Sequence, residues 1–268
     1  MNAAGNAHPR PLLAARDLRV RIGGRHILHD VHLDVAPHGV TALLGRNGAG
    51  KTTTVRAILG LVPRTGSILL DGQDVSGLRT HVLVRRGIGY APEDRGVFTA
   101  LTVAENLRLA ERPGSRPPDY ALVHDLFPEL RQRAGQPAGT LSGGQQQMVA
   151  IARTLLADNR LVIVDEPTKG LAPKIVTEVA EALERAARAV PVLMVEQNLA
   201  VVRRLATTCA VLVDGRTAYA GEAAPLLADP RATRRLLGVA SGSTRGGQDP
   251  PGARASAAES PDTREAQS

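Results

Sequence analysis

Leu18-Arg-Val-Arg-Ile22 alternates apolar and polar residues, and Val31-His-Leu-Asp-Val35 repeats the pattern. A period of two sends neighbouring side chains to opposite faces of an extended chain, so both segments are predicted to be half-buried strands turning at Gly23-Gly24. Val40-Thr-Ala-Leu-Leu44 does not alternate, and a short, mostly apolar run closed by a glycine is the pattern of a strand buried on both faces. Ile88 to Ala91, stopped by Pro92, and the runs 161–164 and 192–195 are predicted to be strands as well. Helix is predicted from Lys51 to Leu61, followed by a turn at 63–66 and a strand from Ser67 to Leu70. A second helix is expected over 174–189. Residues from about 97 to 158 change to helical character, with Thr102-Val-Ala-Glu105 as a capping box and a Pro/Gly-rich loop at 112–119. Val211 to Val213 and Thr217 to Tyr219 flank Asp214-Gly215 as a hairpin. The chain has no internal repeat. The layout is an α/β core interrupted by a helical insertion of about sixty residues.

Composition narrows the function classes. The 268 residues are 43% hydrophobic and 22% charged, which excludes a collagenous, coiled-coil or wholly disordered chain. Cys209 is the single cysteine, so there is no internal disulfide and no cysteine-built zinc site. It is expected to be a small buried hydrophobe. The net charge of +7 invites a nucleic-acid reading, but the arginines are scattered and the chain has no Trp, two Phe and three Tyr. A surface that stacks bases on aromatic rings is therefore missing, and no nucleic-acid partner is expected. His26, His29, His32 and His38 cluster in sequence without converging carboxylates, and are expected to be ordinary polar surface. No apolar run approaches the roughly 20 residues of a membrane span, and the N-terminus lacks the apolar core of a signal peptide. A soluble, cytoplasmic chain is expected. Residues 1–11 and 239–268 are predicted to be disordered, since the stretch from 241 onward contains no Leu, Ile, Val, Phe or Met.

Three motifs carry the chemistry. Gly45-Arg46-Asn47-Gly48-Ala49-Gly50-Lys51-Thr52, followed by Thr53, fits GxxxxGK[ST] between a buried strand and a helix. Glycines let backbone N–H groups wrap a phosphate chain, and the helix N-terminus adds partial positive charge. Lys51 is placed to reach the terminal phosphates of ATP, and the Thr52 hydroxyl to ligate Mg²⁺. Asp165-Glu166 follows the apolar run 161–164, at the strand end where α/β ligand sites lie. Asp165 is expected to hold Mg²⁺ and Glu166 to orient or deprotonate the attacking water. Finally, Leu141-Ser142-Gly143-Gly144-Gln145 opens a helical run and forms a second anion-binding nest. A chain with one P-loop has no second phosphate of its own for that nest. Two copies facing head to tail would supply it.

P-loop, LSGGQ and apolar-DE in this order and spacing resemble the ATP-binding cassette (ABC) family over residues 12–238. The resemblance implies a P-loop NTPase (RecA-like) core with an antiparallel β subdomain and an inserted α-helical subdomain at about 97–158. It also implies ATP and Mg²⁺ as ligands and dimerisation around two ATPs. Departures from the family pattern narrow the choice. Gln197 stands where the family carries a histidine, Glu93 follows Pro92 where a glutamine is usual, and Ala172-Pro173 replaces the usual aspartate. PEDRGVF, DEPTKGLAP and VEQN together resemble the ATP-binding subunits of branched-chain amino acid importers, with urea importers of the same family as the nearest competitor. The Gln197 amide can donate to a γ-phosphate oxygen, and the Glu93 carboxylate is expected to join the Mg²⁺ shell only when nucleotide is bound. It implies a second ATPase subunit (self or paralogue), two transmembrane permease subunits, an external solute-binding protein acting indirectly, and a location on the inner face of the cell membrane. The family usually stacks adenine on an aromatic ahead of the P-loop. Residues 1–50 hold no Phe, Tyr or Trp, so Ile22, with Arg25 or His26, is expected to contact the base. A soluble cassette ATPase acting on nucleic acid or ribosomes lacks support, having neither zinc cysteines nor a basic aromatic patch. A non-catalytic regulatory subunit conflicts with the intact Lys51, Glu166 and LSGGQ.

Overall fold

The computed structural model describes residues 10–112 and 116–238; the two expected disordered tails lie almost wholly outside the described residues. Strand β1 (Leu13–Ile22) pairs antiparallel with β2 (Arg25–Val35), and β3 (Val40–Gly45) leads into helix α1 (Lys51–Ile58). Next come β4 (Thr65–Leu70), β5 (Gln73–Asp74), α2 (Thr80–Arg85) and β6 (Ile88–Ala91). The insertion contains α3 (Val103–Arg108), α4 (Tyr120–Leu126), α5 (Pro128–Gln132) and α6 (Gly143–Leu156). The chain continues as β7 (Leu161–Asp165), α7 (Pro173–Ala186), β8 (Val192–Val195), α8 (Leu199–Leu205), β9 (Ala206–Val213), β10 (Arg216–Glu222), α9 (Ala223–Ala228) and α10 (Pro230–Leu237).

Two sheets result. One is antiparallel, in the order β2-β1-β4-β5; the other runs β10-β9-β3-β8-β7-β6, parallel except for β10. The apolar runs of the parallel strands have a simple cause. Val162, Val164, Val192 and Met194 enter one core with the helices of the insertion, while Leu161, Ile163, Leu193 and Val195 enter a second core with the antiparallel sheet and α1. Both faces of these strands are covered, so both phases of the pleat must be apolar.

Several boundaries differ from the sequence expectation. The first two strands begin at Leu13 and Arg25 rather than at 18 and 31. Asp17 and Asp30 adopt φ of 49° and 59°, and the register shifts beside them. Each irregularity resets the alternation, so Ala15 and Leu18, like Leu28 and Val31, are buried although they lie three residues apart. The first helix stops at Ile58, three residues early, with the chain reversing at Gly60. Helices α2, α8, α9 and α10 were not anticipated. The capping box held: the Thr102 hydroxyl accepts from Glu105 N at 3.2 Å, and Glu105 Oε2 accepts from Thr102 N at 2.8 Å.

Candidate nucleotide site

Strands β3, β8, β7 and β6 are neighbours in the parallel sheet, and each releases a site residue just beyond its C-terminal end. Lys51 follows β3, Gln197 follows β8, Asp165 and Glu166 close β7, and Glu93 follows β6. Sequence positions spread over about 150 residues thus meet along one edge, the usual ligand edge of an open α/β sheet.

The P-loop glycines serve two different purposes. A Cβ at Gly45 would stand 2.6 Å from the Leu212 carbonyl oxygen, and one at Gly50 would stand 2.6 Å from Leu28 Cδ2. Gly48, at φ 80°, faces open space. The loop is pressed onto β9 and β2 at its ends and leaves its middle accessible to a ligand. Gly50 caps α1 without a side-chain hydrogen bond, and the first turn carries no acidic residue, so the helix N-terminus keeps its positive end unopposed. Lys51 is 5% exposed and donates to the carbonyls of Gly45 at 3.0 Å and Arg46 at 3.2 Å. Burial lowers its pKa, against the raising influence of Glu166 and Asp165. A triphosphate at this loop would give that ammonium anionic partners in place of two carbonyls.

Asp165 is fully buried. Its carboxylate accepts only long hydrogen bonds, from Thr52 Oγ1 at 3.4 Å and from the Tyr90 hydroxyl at 3.4 Å. Burial, reinforced by the neighbouring Glu166 and Glu93 charges, pushes its pKa up to about 6 despite the Thr52 bond. An under-satisfied buried carboxylate beside a threonine hydroxyl is a donor set that fits a hard, oxygen-seeking cation such as Mg²⁺. Glu93 is near enough for its charge to act on Asp165 but is bonded to a different partner. Its Oε1 accepts from Lys169 Nζ at 2.6 Å, and among the described residues no three His, Cys, Asp or Glu side chains converge as a metal-ligand group.

Glu166 sits at φ 48°, a left-handed conformation that costs a non-glycine residue roughly 1–3 kcal/mol. Its carboxylate is 8% exposed, with Lys169 Nζ 3.0 Å from Oε2 and Lys51 Nζ 3.7 Å from Oε1. Gln197 Nε2 donates to Oε1. Burial alone would raise the carboxyl pKa, but the Lys169 and Gln197 hydrogen bonds and the two ammonium charges hold it below the ordinary glutamate value. Gln197 is thus bonded directly to the Glu166 carboxylate.

Ser142 is the N-cap of α6 and forms a capping box with Gln145: the Ser142 hydroxyl accepts from Gln145 N at 3.3 Å, and Gln145 Oε1 accepts from Ser142 N at 3.0 Å. Gln145 also donates to Glu129 at 2.8 Å. Gly144 is required by packing, since a Cβ there would stand 2.6 Å from Ile175 Cγ2 on α7. Gly143 lies under the Arg95 guanidinium, which ties the loop after β6 to the start of α6. Ahead of the P-loop, Ile22 is half-exposed at the β1–β2 hairpin, paired with Arg25, and His26 stacks on His29 with ring centroids 5.4 Å apart.

Four residues of the site were not singled out from the sequence. Tyr90 bonds Asp165, and Lys169 joins Glu93 to Glu166. Glu196 is buried, accepting from Thr168 Oγ1 at 2.9 Å. Asn106, also buried, pins the backbone at Phe98. Tyr90–Asp165, Lys169–Glu93 and Thr168–Glu196 are pairings between residues distant in sequence, whereas Asn106 bonds backbone only four to eight residues away; no motif announces any of the four.

Residues 28–169, more than half of the chain, match the ABC transporter family. The chain belongs to that family. It is 39% identical to the "High-affinity branched-chain amino acid transport ATP-binding protein BraG" of Pseudomonas aeruginosa, covering 79% of this chain and 93% of that one. The "Probable branched-chain amino acid transport ATP-binding protein LivF" of Archaeoglobus fulgidus is 36% identical, over 80% and 93% of the two chains. The "Lipopolysaccharide export system ATP-binding protein LptB" of Escherichia coli is 33% identical over 84% and 97%. Among solved structures, a nucleotide-free ATP-binding cassette from an ABC transporter superposes with a TM-score of 0.72 at 25% identity, over 85% of this chain and 99% of that one. An ATP-binding subunit of an ABC transporter gives 0.68 at 28% identity, over 85% and 95%. This ABC protein is an ATP-hydrolysing transporter ATPase, and no helix among its described residues is long and apolar enough to cross a membrane.

Proposed function

We propose that this ABC ATPase energises an importer of branched-chain amino acids from the inner face of the cell membrane, paired with a second ATPase subunit and two transmembrane permease subunits. The observation that carries the reading is the ring of residues at the ends of the four adjacent strands. Its glutamate after Pro92 and its glutamine at 197 accompany the Ala172-Pro173 start of α7, as in branched-chain importer subunits. The two branched-chain relatives, at 39% and 36% identity, support it over the lipopolysaccharide-export relative at 33%.

In this reading the P-loop backbone and Lys51 hold the β- and γ-phosphates of ATP, with Thr53 in the same helical turn. Thr52 and Asp165 would hold Mg²⁺, which when bound neutralises charge on the transferring phosphoryl group. Glu166 accepts a proton from the attacking water as its oxygen bonds to the γ-phosphorus and the bond to the ADP oxygen breaks. Gln197 keeps that carboxylate aimed and has an amide to offer the γ-phosphate. Ser142, Gly143, Gly144 and Gln145 close over the ATP of the partner subunit. The loop 93–98 ends in Phe98, which is 54% exposed and backed by the Arg153 guanidinium 5.5 Å from its ring centroid. That apolar tip is the contact for a permease helix, with Glu93 responding to the nucleotide and its metal.

Uptake in the native host tests the reading. Deleting the coding sequence should abolish high-affinity uptake of labelled leucine, isoleucine and valine and leave urea uptake intact, with rescue by the wild-type chain but not by Lys51→Ala. Loss of urea uptake instead would move the protein to the urea importers. Unchanged uptake of both would refute an import role for these solutes.

A further inference from the structure

All but three of the 33 lysines and arginines are arginines, and one of those lysines, Lys169, stands between two carboxylates of the site. Its ammonium lies 2.6 Å from Glu93 Oε1 and 3.0 Å from Glu166 Oε2. The turn that carries it is fixed at several points. Lys169 N donates to the Glu166 carbonyl at 3.1 Å, Gly170 takes φ 68°, and Thr168 is tied to the buried Glu196. The side chain itself is half-exposed, so it reaches a buried carboxylate from the solvent side.

We infer that Lys169 is a positioning residue that ties Glu166 to the loop of Glu93 and restrains basal ATP hydrolysis until that loop moves. A carboxylate accepts a proton through an oxygen lone pair, and in this structure each oxygen of Glu166 already holds one partner, Oε1 Gln197 and Oε2 Lys169, which fixes the carboxylate's orientation and narrows the directions left open to water. Bound ATP offers phosphate oxygens to Gln197 and Lys51, but Lys169 lies on the other oxygen and has no phosphate partner assigned to it. What competes with Glu166 for this ammonium is Glu93, at the shorter distance. The position of the loop after β6 therefore decides how the ammonium is shared, and hence how free Glu166 is to meet water.

The inference rests on Glu166 acting as the base, and steady-state ATPase assays on the full chain at saturating Mg-ATP separate the two claims. Lys169→Met keeps the aliphatic stem and removes the charge. It should raise kcat about threefold, the scale of a partly exposed ion pair, with KM for ATP within about twofold of wild type. Lys169→Arg, which keeps the cation, should stay near wild type. Glu93→Gln should lower kcat in the wild-type background by leaving the ammonium to Glu166 alone, and should lose that effect in the Lys169→Met background. A structural lesion lowers kcat and would not give this pattern. Unchanged or reduced kcat in Lys169→Met, equal activation by Lys169→Arg, or an undiminished Glu93→Gln effect without the lysine would each overturn the restraint. Glu166→Gln is the control: if it hydrolyses like wild type, the base assignment itself fails, whereas an inactive Glu166→Gln beside an unchanged Lys169→Met removes the restraint alone.

Discussion

Asn106 is a fully buried amide whose removal should show how firmly the loop at Phe98 is held. Its Oδ1 accepts from Phe98 N at 2.9 Å, and its Nδ2 faces the carbonyls of Phe98 at 3.0 Å, Leu101 at 3.2 Å and Thr102 at 3.0 Å. Two amide hydrogens serve at most two of those three carbonyls at full strength, so the side chain makes about three good hydrogen bonds. At about 1 kcal/mol net each, Asn106→Ala should cost about 3 kcal/mol. For a domain of roughly 150–250 residues, where 1 kcal/mol moves Tm by about 2–4 °C, the expected fall is about 6–12 °C. Asn106→Leu separates the causes: it restores volume but leaves the same backbone groups unpaired, so it should recover little of the loss. Asn106→Asp should be at least as damaging as Asn106→Ala, because it sets a carboxylate against three carbonyl oxygens. Calorimetric melting of the four proteins, with tryptic cleavage at Arg95 as a local probe, measures both effects. A fall in Tm under about 2 °C for Asn106→Ala, or full recovery by Asn106→Leu, would refute the view that hydrogen bonding holds this loop.

Lys51→Ala removes the P-loop ammonium and should abolish measurable ATP binding and turnover; isothermal titration with unchanged affinity would remove Lys51 from the phosphate site. Gly45→Ala puts a Cβ 2.6 Å from the Leu212 carbonyl, at a φ of 152°. It should destabilise the P-loop by about 1–3 kcal/mol and weaken nucleotide binding, checked by thermal melting with and without ATP. Cys209 is buried, and burial pushes its pKa up to about 11, so the reactive thiolate is scarce at pH 8. Iodoacetamide should therefore label the protein only after denaturation, and rapid labelling of the native chain would contradict the packing of β9.

The P-loop, the Asp165-Glu166 pair and the Ser142–Gln145 cap are each a contiguous run whose chemistry depends on neighbours in the chain, and all three were legible as sequence. The same holds for β3, β7 and β8, because a strand covered on both faces leaves a nearly unbroken apolar run, whereas β9 begins at Ala206 with Thr207 and Thr208 and only its end at 211–213 was legible. Legibility ended where long-range geometry set the outcome. The irregularities at Asp17 and Asp30 hid half of each of the first two strands, since a register shift breaks the period on which the pattern depends. Helices α8 to α10 are short and dock on one another, α8 also on α7, and α9 and α10 also on β9. Glu93 illustrates the limit most clearly. Its motif suggested a metal role but gave no sign of its ion pair: the fold brings β6 beside β7 and so sets Glu93 beside Lys169, 76 residues away in sequence. Charge pairing between loops depends on which strands are neighbours, and that order is a property of the sheet rather than of any segment within it.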